Sequence, residues 1–222
     1  MGADMRWVAA VLIGWSLSVT AWAGASEGGD PFAACTDAGG RIVAVREDPS
    51  ARKIFETRVV DGEPVIVHNP KRLPELWPKA RLFFFAHECA RIQAGFLPPT
   101  PRTLTQDRLI DCDALEWLAR GGWVQGDDVP LIEQAIGALS RAQWRQVPGE
   151  PRRVELAACY QRFIESMAEE AEGKRRDWSR CVEVCGEQMV GCRAAGGRVG
   201  EISVDCMRVY LICVDICNRR YR

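Results

Sequence analysis

Phe83-Phe84-Phe85-Ala86-His87-Glu88-Cys89-Ala90-Arg91 is the stretch around which this chain organises itself. It follows the spacing of H-E-x-x-H, the helical pattern in which two histidines one turn apart hold Zn²⁺ and the glutamate polarises a water. His87 and Glu88 are present, but Arg91 stands at the second histidine position. A guanidinium stays protonated and has no lone pair to give a metal. The only other histidine is His68, in a Val-His-Asn-Pro segment that reads as an ordinary strand end. Pro78 suits the first turn of a helix and Gly95 its end, so a helix is predicted from Pro78 to about Ala94. On that helix positions 87 and 91 share a face and Cys89 points roughly opposite.

Upstream, β-branched clusters alternate with turn signals. Ile42 to Val45, Ile54 to Val60 and Val65 to Val67 read as three strands, with Asp61-Gly62 as a hairpin turn. Further back, Arg6 precedes an apolar run from Trp7 to Val19, and Ala21-Trp22-Ala23 is a small-x-small cleavage signal. That is the pattern of a secretory signal peptide over residues 1–23, too short to span a bilayer. Cleavage leaves roughly 200 residues, which suits one domain or one and a half, with enough apolar content for a real core. Residues 24–34, rich in glycine, read as a flexible leader. Export to a periplasmic or extracellular compartment makes ten cysteines legible as disulfides.

Downstream, a second helix is expected from about Thr103 to Arg120, stopped by Gly121-Gly122. Asp127-Asp128-Val129-Pro130 signals a third, to about Leu139. The Pro148-Gly149-Glu150-Pro151 turn opens a fourth, from Arg152 into the glutamate-rich stretch at 165–172, with Gly173 as a break. Residues 35–172 then form the main domain and 174–222 a helical hairpin.

The hairpin is written in its cysteines. Cys181, Cys185 and Cys192 are spaced four and seven apart, and Cys206, Cys213 and Cys217 answer with seven and four. At ~100° per residue each trio falls within ~40° of one helical face. An antiparallel fold about Val199 pairs Cys181 with Cys217, Cys185 with Cys213 and Cys192 with Cys206. So small a unit buries little apolar surface, and its staples substitute for a core. For the remaining four cysteines, Cys89 and Cys112 each point away from the face that carries His87 or Asp107. Their phase suggests a bridge between adjacent helices, Cys89–Cys112, with Cys35–Cys159 by elimination.

Phe85-Ala86-His87-Glu88-Cys89-Ala90, then Asp111-Cys112, Pro148-Gly149 and Cys159, together resemble small exported bacterial proteins related to gluzincin zinc metallopeptidases. The resemblance covers over half of the chain that follows the signal peptide. It implies an α+β, predominantly helical fold: a short N-terminal sheet, a gluzincin-like helix pair and, here, the C-terminal stapled hairpin. In that pattern a second helix supplies Glu as third zinc ligand and, four residues on, Asp to orient a ligating histidine. This chain has Asp107 and Asp111 at those places, and Arg91-Ile92 where His-His would stand. The departures fall on the metal face.

Three readings remain open at this point. Arg91 is a fixed cation in the metal's place, paired with Asp107, Asp111 or Glu88; or the His-Glu pair is incidental; or a weak site survives on His87, Asp107 and another oxygen ligand. The first implies no cofactor and a non-catalytic, metallopeptidase-like binding or structural module. The last implies zinc and an active metallopeptidase with Glu88 as general base. A formal net charge of -1 and no long basic run point away from nucleic acid. Partners of the non-catalytic reading are a peptide or an envelope protein, with no transmembrane segment after signal cleavage. The basic hairpin flanks (Lys174, Arg175, Arg176, Arg219, Arg220) read either as solvated surface or as a docking face. Trp77, Trp117, Trp123, Trp144 and Trp178 form no stripe and read as packing rather than a sugar platform.

Overall fold

A computed structural model describes residues 30–101, 103–196, 198–199, 202–203 and 205–221. The signal-peptide reading falls outside these residues. The architecture is α+β and predominantly helical. Three strands, β1 (Ala44–Glu47), β2 (Phe55–Val60) and β3 (Glu63–His68), lie in the order β1-β3-β2, with β1 parallel and β2 antiparallel to β3. The central strand buries Val65, Ile66 and Val67 in succession, as a strand covered on both faces must. Asp61 and Gly62 both take positive φ, the geometry of a two-residue hairpin whose twist matches its strands. β1 begins later than its apolar residues suggest, because Ile42 bridges to Thr36 and the Val43 N–H bonds to the Cys35 carbonyl.

Helix α1 (Pro78–Gln93) lies at the centre. Every residue from Phe83 to Ala90 is buried, so the helix is covered all round, by the sheet, by α2 (Leu104–Arg120) and by α3 (Val129–Gly137). Thr103 starts α2 with a reciprocal capping box to Gln106. A short α4 (Arg141–Trp144), not anticipated in the sequence, precedes the Pro148-Gly149 turn.

Three expectations are corrected here. The leader is ordered at its end: Asp30 caps a 3₁₀ turn at Pro31–Ala33, and Phe32 packs on Phe85, Phe55 and His68 at centroid distances of 4.7, 5.9 and 5.8 Å. Gly173 does not break the fourth long helix, which starts at Leu156 rather than Arg152. It runs unbroken as α5 (Leu156–Ala194), 39 residues long. A glycine inside a helix costs only about 1 kcal/mol relative to alanine. The pairs Glu170–Lys174 (2.9 Å) and Glu172–Arg176 (2.8 Å) straddle it one turn apart.

The third correction is covalent. The bridges in the main domain are Cys35–Cys89 and Cys112–Cys159, not Cys89–Cys112 and Cys35–Cys159. Helical phase gives the reason. If His87 on α1 and Asp107 on α2 face each other across the helix pair, cysteines opposite them point away from that interface and from one another. Cys89 therefore meets the segment entering β1, and Cys112 meets the first turns of α5. In the hairpin, Cys181–Cys217, Cys185–Cys213 and Cys192–Cys206 are bridged as the mirror spacing predicts, with Cα separations of 5.8, 5.7 and 5.8 Å. The partner helix is α6 (Cys206–Tyr221), joined to α5 through two-residue strands β4 (Arg198–Val199) and β5 (Ile202–Ser203). No helix among the described residues is long and apolar enough to cross a membrane.

Candidate functional site

Of the polar residues singled out on α1 and α2, His87, Asp107 and Asp111 come together, while Glu88 is bonded to β2 and to its own helix. His87, Glu88, Asp107 and Asp111 are all buried, enclosed by the helix pair, β2 and the segment that follows Gly149. They fall into two clusters, one around Asp111 and one around Glu88.

In the first, His87 Nδ1 lies 2.9 Å from Asp111 Oδ1. Asp111 is gripped from its other side by Arg152, whose Nε donates to Oδ2 at 2.7 Å and whose second terminal nitrogen donates to Oδ1 at 2.5 Å. This is the two-point fork that guanidinium and carboxylate make in their strongest pairing. The same Arg152 nitrogen stands 3.3 Å from His87 Nδ1. Arginine offers only donors, so Nδ1 cannot serve both neighbours in one tautomer. The shorter contact to a carboxylate favours an N–H on Nδ1, which leaves Nε2 facing Asp107 Oδ1 at 3.9 Å. Burial pushes the Asp111 carboxyl up, but the Arg152 fork and the His87 hydrogen bond outweigh it and hold Asp111 below the usual carboxylate range.

Arg152 is the residue sequence reasoning missed. The sequence reading starts a helix at Arg152, but residues 151–155 lie outside any helix or strand, and the Arg152 side chain turns back into the domain. Gly149, at φ +76°, makes room: a Cβ there would collide with the Arg152 guanidinium and stand 3.2 Å from Asp107 Oδ2. The guanidinium also donates to the Glu150 carbonyl and lies 5.8 Å from the Trp144 ring centroid. The available signal was a Pro-Gly-x-Pro turn immediately ahead of an arginine, in a chain with two acidic residues on the helix opposite.

In the second cluster, Glu88 Oε2 accepts from the Thr57 backbone N–H (2.7 Å), the Thr57 hydroxyl (2.5 Å) and Arg91 (3.1 Å). Thr57 belongs to β2 and is likewise a residue the sequence did not announce. Arg91 also donates through Nε to the Phe96 carbonyl at 2.7 Å, which ties its head to the C-terminal end of α1. The expectation that one cation serves the carboxylate group is thus divided between two residues. Arg91 pairs with Glu88, while Arg152 pairs with Asp111.

These residues do not fit a zinc ion. Catalytic zinc takes three protein ligands; among the described residues His87 Nε2 faces Asp107 Oδ1 at 3.9 Å, His87 Nδ1 is bonded to Asp111, and the second histidine position holds Arg91, whose guanidinium is bonded to Glu88 and to the Phe96 carbonyl. His68 is not part of the constellation; it stacks on Phe55 at 4.6 Å, and burial, aided by the Arg81 charge, lowers its pKa. Comparison with protein-family models, with curated proteins and with solved structures returns no match to this chain.

Proposed function

We propose that this is an exported, non-catalytic relative of gluzincin metallopeptidases, retained as a binding or structural module in the oxidising compartment of a bacterial envelope. The observation that carries the reading is the state of Glu88. A general base must present a free oxygen to a water in an open cleft. Here the carboxylate is buried, and one oxygen is held by three donors from the sheet and from its own helix. The former catalytic face acts as a keystone that ties α1, α2, β2 and the 149–152 segment together. Five disulfides accord with an oxidising compartment. Strand β1, at the edge of the sheet, offers a border to which an extended peptide can add.

The test is metal content of the oxidised protein offered equimolar zinc, beside a variant carrying Arg91→His and Asp107→Glu. The natural chain is expected to take up none and the restored chain about one ion, since three ligands suffice for catalytic zinc. Stoichiometric zinc on the natural chain, lost on His87→Ala, would replace this reading with a zinc peptidase that uses Glu88. A restored chain without zinc would mean that residues 91 and 107 do not correspond to ligand positions.

A further inference from the structure

The stapled hairpin turns one side of α6 toward α5 and leaves the other uncovered. Cys206, Cys213 and Cys217 define the covered side. At about 100° per residue, Arg208, Leu211, Ile212 and Asp215 fall opposite them, with Met207 and Ile216 on the two shoulders. Met207, Leu211, Ile212 and Ile216 are 46%, 58%, 53% and 51% exposed. Arg208 and Asp215 are exposed as well. Four large apolar side chains on about three turns exceed the scattered single hydrophobics of an ordinary surface.

This face is complementary to itself. A twofold axis between Leu211 and Ile212, with a second copy running antiparallel, sets Leu211 beside Ile212, Met207 beside Ile216 and Arg208 beside Asp215, each contact occurring twice. That is the requirement of an isologous interface, in which residue i meets j and j meets i. The charges support the same register. Arg208 makes no ion pair among the described residues. Among the described residues Asp215 is engaged by an exposed i,i+4 partner, Arg219, at 2.6 Å, a kind of pair worth little against solvent. The reverse, parallel arrangement would put Arg208 against Arg208 and Asp215 against Asp215.

We propose that this protein forms a twofold dimer through α6, the two stapled hairpins packing antiparallel as a four-helix bundle with the main domains at opposite ends. The proposal is independent of what the buried site does. It also gives the staples a purpose, because a rigid hairpin presents a face that is already ordered before association.

Sedimentation of the disulfide-intact chain from about 1 to about 200 µM tests it, a span that brackets a typical modest self-association. A concentration-dependent dimer is expected. Leu211→Glu with Ile212→Glu, both at exposed positions that leave folding intact, should give monomer with an unchanged circular dichroism spectrum. Asp215→Arg alone should weaken the dimer about tenfold or more, because it sets like charges together twice. Adding Arg208→Asp to it should bring the affinity back to within about threefold, as a coupled pair must. A chain that stays monomeric throughout would overturn the proposal, including one that instead sediments with anionic phospholipid vesicles. A dimer untouched by the double glutamate change, or an Asp215→Arg defect that Arg208→Asp fails to rescue, would overturn it too.

Discussion

Replacing Arg152 with methionine isolates the buried keystone. The side chains of Arg152 and Asp111 are 1% and 4% exposed, and the fork between them uses both carboxylate oxygens. Methionine retains much of the stem volume and removes the charge, so Asp111 is left buried with only the His87 hydrogen bond. Breaking a buried pair on one side costs about 3–5 kcal/mol, because the surviving charge stays desolvated. The expected loss at pH 7 is therefore about 3–5 kcal/mol, read from denaturant unfolding with the disulfides intact. Adding Asp111→Asn should recover most of it, since no uncompensated charge then remains. The pH dependence gives a second reading of the same physics. In the natural chain Asp111 is held below its unfolded pKa. Its ionisation therefore contributes stability above the unfolded value of about 3.9, and that contribution is lost as pH falls through the lower, folded value. Without Arg152, burial dominates and the folded pKa rises above the unfolded one. The variant then regains stability as pH falls toward 4, and its gap to the natural chain narrows. A loss below about 1 kcal/mol at pH 7, the value of an exposed pair, would refute the keystone argument. So would a gap that stays constant between pH 7 and pH 4.

Other expectations follow from individual contacts. Thr57→Val removes the hydroxyl from Glu88 but keeps the backbone N–H; a charged hydrogen bond of this kind is worth about 1.5–3 kcal/mol, measurable in the same unfolding assay. Gly149→Ala should destabilise the fold by at least about 1 kcal/mol, because it combines a positive φ with a collision against Arg152. Crystallography of that variant should show the guanidinium displaced from Asp111. Cys192→Ser with Cys206→Ser opens the loop with the smallest sequence separation, 14 residues. It should cost about 3 kcal/mol of hairpin stability, seen as faster amide exchange at residues near 192 and 206 with protection in α1 unchanged.

What the sequence disclosed depended on whether one element or two had to be known. Helix α1, the Asp61-Gly62 turn and the hairpin bridges each follow from a periodicity within a single stretch, or from a mirror symmetry that names its own partner. Cys89 and Cys112 needed more, since helical phase says which way a side chain points and not which layer lies there. Arg152 was hidden for a similar reason. A turn rich in proline and glycine reveals a change of direction, but the carboxylate awaiting the arginine sits 41 residues away on α2. Gly173 misled because its permissiveness is an option, which its flanking ion pairs leave unused. The meeting of His87 with Asp107 and Asp111 was legible, since all three came from one pattern spread over two helices. Thr57 was not, because nothing in an alternating strand marks which hydroxyl will face a buried acid.

The unbroken passage of α5 through residue 173 has a geometric consequence. Some 39 residues of helix span about 58 Å at 1.5 Å per residue. The first turns belong to the main domain, and the last are clamped to α6. The two bodies therefore share a shaft, and their relative orientation is set by the number of residues between the clamps. Deleting one residue between Glu172 and Lys174 would turn the hairpin by about 100° and draw it in by about 1.5 Å, while leaving both packed ends as they are. Orientation in this molecule is thus counted in residues, and chain length along the shaft is as much a part of its shape as any side chain.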